Sequence, residues 1–242
     1  MEVINCTWEL NNLNKRTCEI ILEEENIDIQ HLSKIQSNYD YIVIKIPSSN
    51  VRICQILSNL GFYFIETQIS LHFKINKMQT LNKTAQYYLP KLSLVPCDDT
   101  PSIENVINHI SADMFSTDRI ALDCHFGIEM SNNRYRNWIR NTISIGNYKL
   151  FNIKVSSMIV GFCYLKILED GVDYVLGGLY PEYQGHGLGL AESLSACRYI
   201  KMNGLNFVDA TVSSNNINVL RCFMDCGYSI ERFKYVFTKV IR

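Results

Sequence analysis

The residues best suited to chemistry in this chain of 242 residues lie in one run, YPEYQGHGLGLAESL over 180–194. Gln184, Gly187 and Gly189 form the pattern Q-x-x-G-x-G, with Gly185, His186 and Leu188 in the gaps, between an apolar run and a helix-forming one. Glycines let a backbone turn close to a ligand, so that successive N–H groups converge on anionic oxygens at the positive end of a helix. That is chemistry for a diphosphate, and the plain alternative is a tight connection between strand and helix. Gly185, Gly187 and Gly189 alternate, unlike the G-x-G-x-x-G of dinucleotide sites, and no acidic ribose partner follows. The Lys and Ser/Thr of a P-loop are also missing. His186 sits within the loop, where a phosphate or solvent contact suits it better than catalysis. Just before the loop, Gly177-Gly178 interrupts an apolar run, which marks a bulge or the close approach of another group.

Such a loop needs a strand before it and a helix after it. Three apolar, β-branched runs precede it, KLFNIKV, MIVGFCYLKI and VDYVLGGL, separated by Ser156-Ser157 and by Glu169-Asp170-Gly171. They predict an antiparallel meander. A helix from about Gly187 to Asn203 is closed by Gly204, followed by the strand LNFVDATV, a helix from Val219 and a final strand. Ahead of the meander, Ser102 reads as the N-cap of a helix bearing Ile103, Val106, Ile107 and Ile110, and 131–143 forms a second helix with Tyr135, Trp138 and Ile139 on one face.

The first part of the chain reads as a strand over 17–23, a helix over 28–36, a strand over 41–46, then a helix, Gly61 and a long strand ending at Lys74. The last of these units, 53–74, repeats the plan of 219–239, where Gly227 takes the place of Gly61, and points to a duplicated α/β unit. Residues 75–92 lose periodicity, are rich in Asn, Thr and Lys and carry Pro90, so they read as a linker or edge segment. Two domains follow, 1–90 and 91–242, in a mixed α/β class.

Composition sets the outer bounds. With 47% hydrophobic and 19% charged residues there is material for a packed core. The 23 Lys and Arg nearly cancel the 24 Asp and Glu, so no field collects nucleic acid or an anionic membrane, and the expected partner is a small molecule. Glu2 near the start and the lack of any run approaching about 20 apolar residues point to a cytoplasmic chain. The nine cysteines lack C-x-x-C or Cys/His spacing, so neither a disulfide framework nor a metal site is expected. A homodimer is compatible with all of this.

Leu179-Tyr180-Pro181 leading into Gln184-x-x-Gly187-x-Gly189 resembles the cofactor motif of the GNAT superfamily of N-acetyltransferases, and Asn216 with Gly227-Tyr228 resembles a second, later motif of that family. The resemblance covers most of 91–242. It implies a GNAT fold, a mixed and mainly antiparallel sheet flanked by helices, preceded here by a smaller partial GNAT-like α/β domain. It also implies acetyl-CoA as cosubstrate, a primary amine as acceptor and direct transfer without a covalent enzyme intermediate. By the same resemblance Leu179, Gln184, Gly185, His186, Gly187, Leu188, Gly189 and Asn216 contact the cofactor, and a backbone N–H near Leu179 faces the oxyanion.

Phe223 occupies the position where the family usually has a Tyr acid. Phe cannot donate a proton, which leaves Tyr180 and Tyr228 as stand-ins. A thiol with a pKa near 8.5 leaves tolerably as thiolate without help. No base stands out: Glu182 and Asp173 read as surface and turn residues, and His125 as loop packing. Trp8-Glu9 and the segment 115–139 are similar to the TDP-fucosamine (TDP-4-amino-4,6-dideoxygalactose) acetyltransferase family, which implies a nucleotide-linked amino sugar as acceptor, with Arg119 and Arg134 on its diphosphate and Arg136 solvated. The alternatives are another amine (an antibiotic, a polyamine, an amino acid or a protein N-terminus), a non-catalytic acyl-CoA-binding protein that Phe223 would permit, and a nucleotide-binding module.

Overall fold

The structure, a computed structural model, describes residues 1–23, 27–110 and 114–241. The strands are β1 (Glu2–Asn5), β2 (Thr17–Ile21), β3 (Tyr41–Pro47), β4 (Tyr63–Lys74), β5 (Leu92–Pro96), β6 (Tyr148–Val155), β7 (Met158–Ile167), β8 (Gly171–Leu179), β9 (Phe207–Ser213) and β10 (Ser229–Val240). The helices are α1 (Glu9–Leu13), α2 (Ile29–Gln36), α3 (Val51–Asn59), α4 (Lys83–Tyr88), α5 (Thr100–His109), α6 (Arg119–Leu122), α7 (Ile128–Thr142), α8 (Gly189–Asn203) and α9 (Ile217–Asp225). All ten strands join one sheet in the order β1-β2-β3-β10-β4-β9-β8-β7-β6-β5.

The order contains a repeat. In the first half β1 pairs antiparallel with β2, the α2 crossover brings β3 parallel to β2, and α3 leads through Gly61 into β4. In the second half β7 pairs antiparallel with β8, the α8 crossover brings β9 parallel to β8, and α9 leads through Gly227 into β10. The last strands are exchanged: β10 lies against β3 and β4 against β9, with β4 and β10 antiparallel to each other between them. Both linking glycines take the left-handed conformation, at φ 79° and 89°, which ends each helix and turns the chain into its strand. Residue 90 thus falls between the repeated units in sequence, while the exchanged strands carry Ile69, Leu71 and Phe73 into the core of the second unit and Phe237 into that of the first.

Two local expectations are corrected. Residues 75–92 are folded against the body: Asn82 caps α4 by accepting from Ala85 N at 2.8 Å, and Leu81 and Ala85 are buried in the core around α8. A helix of six residues is too short to display a period, which is why the segment reads as a linker. The N-cap of α5 is Asp99 rather than Ser102; Asp99 Oδ1 accepts from Ser102 N at 2.8 Å, and Pro101 lies in the first turn, where it has no N–H to satisfy. No helix among the described residues is long and apolar enough to cross a membrane.

Candidate active site

Strands β8 and β9 pair in parallel from Gly171↔Phe207 to Tyr174↔Ala210 and then part. The fork opens into a cleft of about 1020 Å³ whose walls come from β4, β8, β9, the start of α8, the start of α9, and residues 114–118 with Tyr135. The cause of the parting is local. Along β7, Leu165 faces Tyr174 but Tyr164 faces Leu176, so Val175 is an extra residue, a bulge that bends β8 away from β9. The bulge also places Tyr174 and residue 177 on one face, where a Cβ at Gly177 would overlap the Tyr174 hydroxyl. Gly177 is glycine because that ring fills its side-chain space.

Past Leu179 the chain makes a single 3-10 turn at Pro181–Tyr183 and enters the glycine loop. Gly185 and Gly187 have φ of 75° and 76°, a conformation that L side chains adopt only with strain, and a Cβ at either would meet nothing within 4 Å. The space in front of the loop backbone is therefore open. Helix α8 starts at Gly189 with no side-chain cap; Ala191 N donates to Leu188 O at 2.9 Å, and the N–H groups of Gly189 and Leu190 ahead of it are placed for an external anion. Gly189 also lets α9 approach: a Cβ there would lie 2.7 Å from Cys222 Sγ. Gln184 Nε2 donates to Leu179 O at 3.1 Å and ties the loop to the end of β8. Leu179, Gln184, Gly185, Gly187, Leu188, Gly189 and Asn216 all line the cleft, and Asn216 caps α9 by accepting from Val219 N at 3.3 Å. His186 is exposed and is not among the lining residues. Arg221, which the motif reading missed, lines the cleft from α9. Open backbone donors, an uncapped helix start and a fork between strands fit the diphosphate and extended arm of a coenzyme A thioester.

The two tyrosines expected as acids are elsewhere. Tyr180 is 3% exposed in the core beside Phe162 and Tyr164, donating to Asn152 Oδ1 at 2.9 Å, and Tyr228 is 2% exposed with its hydroxyl on Ser193 O and Cys197 Sγ at 3.4 Å. Neither lines the cleft. Phe223 does, with its ring edge-on to Tyr174 at 5.6 Å. The titratable groups lining the cleft include Tyr174, Glu192, Glu66 and Asp118, none of which the sequence reading singled out, together with Tyr135, Cys222 and Arg221. Tyr174 donates to Glu192 Oε1 at 3.1 Å, and both are buried. Burial pushes the Glu192 carboxyl up to about 7, against the opposing pull of the Tyr174 hydrogen bond, and burial beside Glu192 holds Tyr174 well above its ordinary range. Glu66, 3% exposed on β4, accepts from Gln68 Nε2 at 3.1 Å; burial raises it, while bonds from Ser213 and Gln68 and the charge of Arg119 oppose the rise. Asp173 lies away from the cleft, in the paired part of β8, raised to about 6 by burial and by Asp209.

Arg119 and Arg134 do not face the cleft either. Both hold Glu9, which is fully buried: Arg134 Nε donates to Glu9 Oε1 at 2.7 Å and Arg119 Nη2 to the same oxygen at 3.2 Å. The pair anchors α1 to α6 and α7 and is committed to that carboxylate. Arg136 is not free in solvent; it donates to Ile110 O and to Asn133 Oδ1. His125 Nδ1 lies 2.7 Å from Asp123 Oδ1, away from the cleft. With Cys124 these two form a group whose ligand atoms lie within 4.8 Å, although the sequence shows no metal spacing; Asp123 Oδ2 already accepts from Tyr41 and Thr238.

No protein-family model matches the chain, and no curated protein matches it. Solved structures do. A functionally unknown conserved protein from Staphylococcus epidermidis is similar at 13% identity and TM-score 0.62, covering 93% of this chain and 84% of its own. A GCN5-related N-acetyltransferase from Sphaerobacter thermophilus gives 12% identity and TM-score 0.59, covering 84% of this chain and 60% of its own. A tandem GNAT protein from the clavulanic acid biosynthesis pathway gives 9% identity and TM-score 0.52, covering 84% and 64%. At these identities the likeness concerns architecture. The chain has the GNAT fold, and its repeated topology has a counterpart in a tandem GNAT structure.

Proposed function

We propose that this chain binds acetyl-CoA in the fork between β8 and β9 and transfers the acetyl group to a primary amine. The observation that carries the reading is the glycine loop, open in front of its backbone donors and leading directly into a fork lined by buried acid groups. In this reading the N–H groups of the loop and of the start of α8 hold the pyrophosphate, with Arg221 beside them. The pantetheine arm lies along the parted edge of β8 past Leu179, and the thioester rests where the strands diverge. The amine comes from the side of Glu66 and Asp118. Its nitrogen must lose a proton before it attacks the carbonyl carbon, and Glu66, a desolvated carboxylate at the cleft wall, receives or relays that proton. The tetrahedral intermediate collapses by breaking the C–S bond, leaving the amide and the CoA thiolate.

The same wall bears on the acceptor. Its described lining, Glu66, Gln68, 114–118 and Tyr135, carries carboxylates and no cationic side chain. Arg119 and Arg134, which a nucleotide-linked sugar would need for its diphosphate, are engaged by Glu9. These facts support an amine on a neutral or cationic body over a nucleotide-linked amino sugar of the TDP-fucosamine acetyltransferase kind. The test is release of free thiol from acetyl-CoA with a panel of a polyamine, a free amino sugar, an aminoglycoside, a peptide N-terminus and a TDP-4-amino sugar. Turnover concentrated in the cationic members is expected. Turnover of the TDP sugar alone would overturn the acceptor assignment, and CoA binding without thiol release from any amine would make the chain a non-catalytic acyl-CoA binder.

A further inference from the structure

We infer that Tyr174 is the proton donor to the departing CoA sulfur and that Glu192 is the positioning residue that aims its hydroxyl; the inference rests on the acyl-transfer reading. Three independent features converge on this pair. Tyr174 is the last paired residue before β8 and β9 part, so it stands at the apex of the fork. The Val175 bulge and Gly177 together place its hydroxyl in the side-chain space of residue 177, and both Tyr174 and Gly177 line the cleft. Glu192 belongs to the first turn of α8, the helix that begins at the glycine loop, so one short element carries both the phosphate donors and the carboxyl. The aromatic ring that shares the apex, Phe223, has no proton to give.

The protonation state of Glu192 sets the direction of the bond. Ionised, the carboxylate accepts from Tyr174 at 3.1 Å and keeps the hydroxyl away from the cleft. Protonated, its own O–H donates to Tyr174 Oη, and the tyrosine proton is free to face the thioester. As the C–S bond breaks, the electron pair stays on sulfur, Tyr174 gives its proton to the thiolate and Glu192 restores it; the carboxylate regains a proton from solvent or from the one the amine has shed. The groups packed on Glu192 keep it near the required state. Tyr174 faces it from β8, the Cys163 thiol from β7 is pushed up to about 12 by burial, and Cys222 in α9 and Cys226 just past its end are likewise raised by burial. All are neutral near pH 7, no cationic group acts on it among the described residues, and burial holds it at about 7. A carboxyl that titrates there is protonated often enough to deliver a proton in each turnover.

The experiment has an activity arm and a binding arm, both with the full chain. Tyr174→Phe and Glu192→Gln are isosteric, and circular dichroism verifies that they fold. Loss of a positioned acid typically costs about 10²-fold or more, so kcat should fall about 10²-fold in Tyr174→Phe while the KM for acetyl-CoA and for amine change less than about threefold. In wild type, kcat should decline as pH rises through about 7, where Glu192 loses its proton, and Glu192→Gln should lose that decline. The binding arm titrates the thiol of bound free CoA by its ultraviolet thiolate absorbance. Donation from Tyr174 lowers the apparent pKa of the bound thiol in wild type, and Tyr174→Phe should restore it toward the free value. Thiol release with equal kcat and equal bound-thiol pKa in wild type and Tyr174→Phe would overturn this assignment and leave acetyl transfer standing. Absence of CoA binding to wild type would overturn both.

Discussion

Replacing Glu9 with Ala tests whether the buried arginines are structural or belong to the acceptor site. Glu9 is 0% exposed and the Arg119 and Arg134 side chains are 10% and 11% exposed, so the carboxylate and both guanidiniums lie outside bulk solvent. One oxygen of Glu9 takes both charge-assisted bonds, at 2.7 and 3.2 Å. Its removal leaves two buried cations facing each other with Asp118 and Glu19 as the remaining compensation. Breaking a buried pair by deleting one partner costs about 3–5 kcal/mol, and for a chain of this length each kcal/mol lowers Tm by roughly 2–4 °C. Glu9→Ala should therefore melt roughly 6–20 °C below wild type. Arg134→Met deletes one charged hydrogen bond and leaves Glu9 with Arg119, for a loss of about 1.5–3 kcal/mol. Because the two substitutions remove the same contact, their effects in the double variant should fall short of additivity by at least about 1 kcal/mol. The assay is urea unfolding of the four proteins followed by circular dichroism, with acceptor kinetics measured well below the lowest Tm. Full additivity, or a Glu9→Ala loss below about 1 kcal/mol, would refute the anchoring role. A tenfold rise in acceptor KM in a stable Arg134→Met protein would return that arginine to the acceptor site.

Three further outcomes follow from the cleft. Gly177→Ala places a methyl group where the Tyr174 hydroxyl sits, so the Tyr174–Glu192 bond breaks at a cost of about 1–3 kcal/mol; turnover should drop at least as far as in Tyr174→Phe, and near-normal kcat would show that the ring has another resting place. Glu66→Gln should raise the acceptor KM about tenfold or more without changing the KM for acetyl-CoA or lowering stability, since burial already works against its charge; steady-state kinetics with both substrates varied reads this, and an unaltered acceptor KM would remove Glu66 from the amine site. Glu192 binds its proton more tightly folded than unfolded, so its contribution to stability is complete below about pH 4.5 and is lost as pH rises through about 7. At about 1.4 kcal/mol per pH unit that is roughly 3 kcal/mol, so Glu192→Gln should gain on wild type by that amount between pH 5 and pH 8 in urea unfolding; a constant difference across that range would contradict the buried acid.

What the sequence reveals about this protein divides by range. The glycine loop is local: its residues are neighbours in the chain, and their spacing alone specifies a backbone cradle. The meander, the α8 crossover and the α3–β4 and α9–β10 units are also visible, because apolar period and a closing glycine lie within each element. The exchange of β4 and β10 is not, since a repeat shows that two units are alike and not which sheet edge each final strand joins. The same limit hid the acid pair at the fork. Tyr174 and Glu192 come together only through a bulge at Val175 and the turn into α8, while Tyr180 and Tyr228, nearer to the motifs in sequence, point into the cores. The arginines illustrate the reverse error. Their positive charge is plain in the sequence, but the carboxylate that engages it is 110 residues from Arg119 and 125 from Arg134.

Calorimetric titration of acetyl-CoA into wild type and into Gly187→Val bears most directly on the central claim that the glycine loop and the fork form an acetyl-CoA site. Gly187 has φ 76° and open space before it, so a branched side chain there both strains the loop and occupies the volume assigned to the pyrophosphate. The account predicts saturable one-to-one binding to wild type and none to the variant, with both proteins folded by circular dichroism. Equal affinity in the two folded proteins, or no binding to wild type, would contradict it.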